Sequence, residues 1–316
     1  MYKIKIILIQ VEKYFMNNNA KKSLVALFAF SCLVFTVIFS GCSSEKKPLL
    51  ENITQISNDN DSPLKYNCTF NGTKHIFIID FPDGKASGEG CPLVVMLHGY
   101  GRSPESFRED SHFEKLANEK GYVVVYASGT GGGWNSGLGL DNIKDVDYII
   151  ALTEYLQKEY KLDKKHTYAV GFSNGAFMTH RLAMEAPKTF SACVSVAGKL
   201  PEKIWEKRNK KNKVSVFQIS GEKDSVVPKL LDGSAKTAKD PAIEEVMEYW
   251  AVTNGLDSKT EEMVGKGSVL TKYTKAGKQN QVWHLLVKDG RHDWPSVEHN
   301  GINMNEMIID FFESVK

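Results

Sequence analysis

The chain has 316 residues, 42% of them hydrophobic and 25% charged, the ordinary make-up of a globular protein. Forty basic against 38 acidic side chains leave a net charge of +2, which argues against a nucleic-acid footprint. The sequence shows no internal repeat, no CxxC pair and no HExxH helix, so no metal centre is expected.

At the N-terminus, Lys21 and Lys22 precede an apolar run from Leu24 to Phe39, followed by Ser40-Gly41-Cys42. Small residues ahead of a cysteine at the end of such a run resemble a bacterial lipoprotein signal. That resemblance implies a lipidated Cys42 as the first residue of the mature chain and attachment to a membrane. The run is also nearly long enough to cross a bilayer, so an uncleaved anchor is the other reading. Met16 is an alternative start. Either way the remainder is expected outside the cytoplasm, lipid-anchored at the cell surface or secreted. Residues 1–42 form the signal segment, 43–64 a polar linker, and 65–316 a single folded domain.

Along that domain, apolar runs predict strands over 66–70 and 75–81. Cys68 and Cys91 flank this pair and are the candidates for a disulfide, whereas Cys193, inside an apolar run, reads as a buried hydrophobe. A strand over 92–97 leads into His98-Gly99-Tyr100, a helix is expected over 107–120, and another strand over 122–127. The loop after it, 128–137, holds Gly129, Gly131, Gly132, Gly133 and Gly137 around Trp134, whose ring offers a flat apolar face for a sugar or an aromatic acyl group. Asp145 and Asp147 open a helix over 145–160, where carboxylates stabilise the first turn.

Next, the apolar strand 167–171 runs directly into Gly171-Phe172-Ser173-Asn174-Gly175, and helical periodicity resumes over 174–186. Strand, G-x-S-x-G and helix in succession are what the nucleophile elbow of an α/β-hydrolase requires, with Ser173 at a helix N-terminus whose dipole favours developing negative charge. Strands at 192–197 and 214–220 follow. The second ends in Ser220-Gly221-Glu222-Lys223-Asp224, where the orienting carboxylate of this fold belongs; Asp224 is the choice and Glu222 the alternative. A basic stretch, 207–213, reads as a solvated loop. After a helix at 242–254, the strand 282–287 delivers a loop carrying Arg291-His292-Asp293-Trp294, so His292 is placed to reach Ser173. Trp294 offers a second flat surface. A helix over 302–315 closes the chain. His284 lies within a strand and His180 along the nucleophile helix, and both read as packed side chains. The oxyanion hole is expected from the amides of Asn174 and Tyr100. Strand and helix alternate throughout, which implies an α/β fold with a mainly parallel sheet, flanked by helices and without a large lid.

These segments together resemble one esterase family, that of the polyhydroxybutyrate depolymerase-like, feruloyl and acetylxylan esterases (carbohydrate esterase family one in the broad sense). The resemblance rests on Leu97-His98-Gly99-Tyr100-Gly101, Gly133-Trp134-Asn135, Val146-Asp147-Tyr148-Ile149, Ala169 to Ala176, Gly221 to Pro228 and Arg291 to Pro295. It spans residue 92 to the C-terminus. It implies a serine esterase with the triad Ser173, Asp224 and His292, no cofactor, and an ester substrate that is feruloyl, acetyl or hydroxyalkanoate in character and can be linked to polysaccharide. Members of the family often carry Gly-Gly-His before Trp-Pro, whereas this chain has Gly290-Arg291-His292. An acyltransferase, a serine peptidase of the same fold and a non-catalytic binding protein are the alternatives.

Overall fold

The computed structural model describes residues 49–56, 63–82, 88–139, 142–227 and 240–316. The segment expected to be a signal, with Cys42, and residues 228–239 past the acid-bearing loop, lie outside the described residues.

Two of the strongest strand signals, Leu93-Val94-Val95-Met96-Leu97 and Val123-Val124-Val125-Tyr126-Ala127, are buried along their whole length. A run without polar alternation fits only where both faces are covered, which is the centre of a parallel sheet. Among the described residues eleven strands form one sheet: β1 (Glu51–Gln55), β2 (Leu64–Phe70), β3 (Thr73–Asp80), β4 (Leu93–Leu97), β5 (Val123–Ala127), β6 (Thr167–Phe172), β7 (Ala192–Val196), β8 (Ser215–Gly221), β9 (Ser258–Val264), β10 (Ser268–Thr274) and β11 (Val282–Val287). Their spatial order is β1-β2-β3-β5-β4-β6-β7-β8-β11-β10-β9. The six strands from β5 to β11 in that order pair in parallel, and antiparallel strands flank them at both edges.

Because side chains alternate across a strand, each central strand feeds two cores. Leu93, Val95 and Leu97 join one apolar layer, and Val94 and Met96 the other. The first layer is covered by α3 (Asp145–Glu159), α4 (Asn174–Glu185) and α6 (Ile243–Asn254), the second by α1 (Pro104–Ser111), α2 (Phe113–Glu119) and α8 (Met304–Ser314). Short helices α5 (Glu202–Trp205) and α7 (Val297–Asn300) sit in connections. Helix α1 begins at a reciprocal cap in which Ser103 and Ser106 each accept the other's backbone N–H, with Pro104 at the first helical position.

Four expectations need correction. The segment expected to be a polar linker contains β1, which pairs antiparallel with β2, and the compact unit begins at Pro48 rather than at residue 65. The single helix expected over 107–120 is two, broken at His112, which takes a left-handed φ of 46°. The hairpin β9–β10 enters between α6 and the last strand, in a stretch that carried no strand expectation. Cys68 and Cys91 are both buried and form no disulfide; burial pushes the Cys68 thiol up to about 12.

Candidate active site

Ser173 ends β6 with φ 52° and ψ −117°, a conformation that L residues avoid and that turns its side chain up from the sheet edge. The glycines around it are dictated by contact. A Cβ on Gly171 would lie 2.1 Å from the Gly175 carbonyl oxygen, and one on Gly175 would lie 2.0 Å from that of Leu97. The elbow therefore closes only with hydrogen at both positions. The Ser173 amide is fixed by the Val196 carbonyl at 2.9 Å, tying the turn to the neighbouring strand β7.

The loops after β8 and β11 bring up the other two groups. His292 Nε2 is 2.9 Å from Ser173 Oγ, and His292 Nδ1 is 2.8 Å from Asp224 Oδ2. With Nδ1–H donating to the carboxylate, Nε2 is left free to accept the serine hydroxyl proton. Asp224 is buried, and its other oxygen, Oδ1, accepts the amides of Val226 at 2.9 Å and Val227 at 2.8 Å. Both oxygens are thus held on the side away from solvent. Glu222, by contrast, is exposed and accepts the Asp289 amide at 3.1 Å. It staples the acid loop to the histidine loop, as do the Lys223 amide on the Gly290 carbonyl and the Lys223–Asp289 ion pair. The alternative acid is therefore a brace between loops, two positions from the carboxylate that meets His292.

Ser173 and His292 open into a cleft of about 400 Å³. Phe107, Phe172 and Trp294 give it apolar walls, with the Phe107 and Trp294 rings edge to face at 5.7 Å, and an Arg102–Asp110 ion pair lies at its rim. Trp294 is held in place by its indole N–H on Asn305 Oδ1 at 3.1 Å. Phe107 and Arg102 carried no signal in the sequence: they come from the α1 region, more than sixty positions before the serine, and only the fold brings them there. Phe172 stood beside the serine and was legible as its neighbour.

Trp134 does not line this cleft. It is completely buried, so the expected flat face for substrate is absent, and its indole N–H donates to the His98 carbonyl at 2.9 Å. The glycine-rich loop folds back on itself through a Thr130–Gly133 bridge and tucks the ring underneath. There the loop braces the turns that carry Tyr100 and Asn174. The Gly101 amide donates to the Gly132 carbonyl at 2.7 Å, beside Tyr100. The Trp134 amide donates to Asn174 Oδ1 at 2.7 Å, and Asn174 Nδ2 donates to Ser136 Oγ at 3.0 Å. Asp145 Oδ2 accepts the Asn135 amide at 2.6 Å, and Arg181 donates to the Asn135 carbonyl at 2.5 Å. Beneath them His98 accepts the Gly129 amide on Nε2 at 3.0 Å, which puts its proton on Nδ1, facing the Gly99 carbonyl at 2.8 Å. Burial lowers the His98 pKa, so that ring stays neutral. The Tyr100 and Asn174 amides make no backbone hydrogen bond among the described residues. The Tyr100 side chain is 70% exposed.

A sheet that is parallel at its centre with helices on both faces, and a serine on a strand-to-helix elbow at the C-terminal edge of those strands, define an α/β-hydrolase. Residues 108–201 match the prolyl oligopeptidase family. Over 238 residues the chain is 32% identical to NocK of Nocardia uniformis subsp. tsuyamanensis, which is named as an esterase, covering 68% of each chain. A bifunctional acetylxylan esterase/xylanase, XynS20E of Neocallimastix patriciarum, is 28% identical over 136 residues, 43% of this chain but 20% of that one, so the chain spans a fifth of that relative. An acetyl xylan esterase structure from Aspergillus awamori superposes with a TM-score of 0.58 over 83% of this chain and 99% of that one, at 16% identity, a likeness of fold. The chain belongs to the esterase family of α/β-hydrolases, and is a carboxylic-ester hydrolase.

Proposed function

We propose that Ser173, His292 and Asp224 are the catalytic triad of a serine esterase working through an acyl-enzyme. The observation that carries this reading is the unbroken hydrogen-bonded line from buried carboxylate to imidazole to hydroxyl, ending in an open cleft. As Ser173 Oγ attacks the ester carbonyl, its proton passes to His292 Nε2, while Asp224 keeps the proton on Nδ1 and stabilises the imidazolium. The oxyanion of the tetrahedral intermediate is received by the Asn174 and Tyr100 amides. His292 then gives its proton to the departing alcohol. Water, deprotonated by the same nitrogen, cleaves the acyl-enzyme and returns the hydroxyl to Ser173.

For the substrate we propose an acetyl or feruloyl ester of a plant polysaccharide, or a related hydroxyalkanoate ester. The name of XynS20E supports the first of these, and the aromatic walls of Phe107, Phe172 and Trp294 suit a planar acyl group. A peptidase is the second reading, favoured by the prolyl oligopeptidase match over 108–201. We also propose a lipid anchor at Cys42 and a place outside the cytoplasm, supported by the apolar run ending in Ser40-Gly41-Cys42.

Replacing Ser173 with alanine should leave the protein folded and lower turnover of an activated aryl ester by about 10⁴-fold or more. A fluorophosphonate should label Ser173. Label on another serine, or activity above a tenth of the parent, refutes the assignment. A panel of acetyl, feruloyl and hydroxybutyrate esters set against a peptide amide ranks the substrate readings.

A further inference from the structure

At the sheet edge opposite Ser173, the connections entering β6, β7, β8 and β11 are residues 160–166, 186–191, 206–214 and 275–281. They hold eleven lysines and arginines against two acids, in a chain whose overall charge is +2. The basic stretch 207–213, which the catalytic site does not use, is one of them. The four connections border a groove of about 620 Å³ into which Lys164, Lys165, Lys188 and Lys213 contribute. All four lysines are exposed, and none has a carboxylate partner among the described residues. Left unpaired around a concavity, like charges raise the free energy of the bare surface and draw in a polyanion.

Between the lysines the groove offers small hydroxyl and amide groups, among them Thr189 and Asn280. Hydroxyls and amides are partners for sugar hydroxyls. The large exposed hydrophobic side chains of the described residues all lie outside these four connections. Among the described residues these connections therefore present no exposed large apolar side chain for insertion into a bilayer or for stacking on a nucleic-acid base.

We propose that this groove binds an acidic polysaccharide, its carboxylates paired with the lysines. It would hold the enzyme on a polymeric matrix while the edge bearing Ser173 remains open to ester groups. Such binding is independent of the ester chemistry and survives whatever acyl group the cleft accepts.

The test is affinity electrophoresis of the full chain in detergent, through gels containing polygalacturonate, its methyl-esterified form or neutral xylan. Polygalacturonate should retard the protein and the two uncharged polymers should not. Raising salt from about 50 to about 200 mM should weaken the retardation at least ~10-fold, because each ion contact releases a counterion. A Lys164→Glu, Lys188→Glu, Lys213→Glu variant should migrate as if the polymer were absent. It should keep its circular dichroism and its turnover of a small aryl ester. Unaltered retardation of that variant, equal retardation by the methyl-esterified polymer, or tighter binding to phosphatidylglycerol vesicles or a DNA oligonucleotide would overturn the proposal.

Discussion

Glu222 and Asp224 stand two positions apart in one turn, and their surroundings separate their roles. Asp224 is buried, with one oxygen on two amides and the other on His292. Glu222 faces solvent and holds the Asp289 amide. Changing Asp224 to asparagine should lower turnover by about 10⁴-fold, since an amide in that place favours the wrong imidazole tautomer. Glu222→Gln keeps an acceptor for Asp289 and should alter turnover only a few-fold. Steady-state kinetics on one aryl ester decide between them, and the reverse ranking moves the acid to Glu222. At this scale the sequence was informative where chain neighbours make the geometry. The glycines at 171 and 175 are forced by contacts within the elbow and with the adjacent strand end. Trp134 was misread because nothing local records that its loop folds under the site and buries the ring.

Helix α4 carries more than the serine at its start. His180, one face of the helix down, is fully enclosed, and its Nε2 lies 2.8 Å from Gln218 Oε1 on β8. Gln218 in turn donates to the Gly198 carbonyl and Ser220 Oγ, so one polar line ties α4 to the strand that presents Asp224. Burial lowers the His180 pKa from 6.5 to about 4. The unfolded chain binds this proton near pH 6.5 and the folded one only near pH 4. Its contribution is therefore complete above pH 6.5 and is lost as pH falls toward 4, by about 3 kcal/mol in all. His75 and His98, also lowered by burial, act in the same direction. Urea unfolding should show stability falling between pH 7 and pH 5, with a shallower slope in His180→Gln. An unchanged slope would assign the effect to other groups. Elements were legible in proportion to their burial. The apolar strands from β4 to β8 announced themselves, whereas β9, Ser258-Lys-Thr-Glu-Glu-Met-Val264, is exposed along nearly its whole length and shows no apolar run. Edge strands meet solvent, and charge there discourages pairing with other chains. The break between α1 and α2 was hidden because a left-handed histidine leaves no pattern in sequence.

For the whole molecule, the residues of the proposed triad and oxyanion hole come from the loops after β4, β6, β8 and β11, and all of them lie within the unit Pro48–Lys316. The hydrogen-bonded line of Asp224, His292 and Ser173 is built from residues 173–292. Anchorage and chemistry should therefore separate. A chain lacking residues 1–42 should be soluble and turn over small esters at the parental rate. In the full chain, Cys42→Ala should abolish lipid attachment and leave the signal uncleaved. Two acyl chains on one cysteine are enough to hold a protein on a bilayer, each buried methylene contributing about 0.8 kcal/mol. Intact mass of the membrane-extracted protein is the deciding measurement. A mass that begins at Cys42 and carries a diacylglycerol supports the lipid anchor. The mass of an unprocessed chain replaces it with a spanning helix, and leaves the domain on the same side of the membrane.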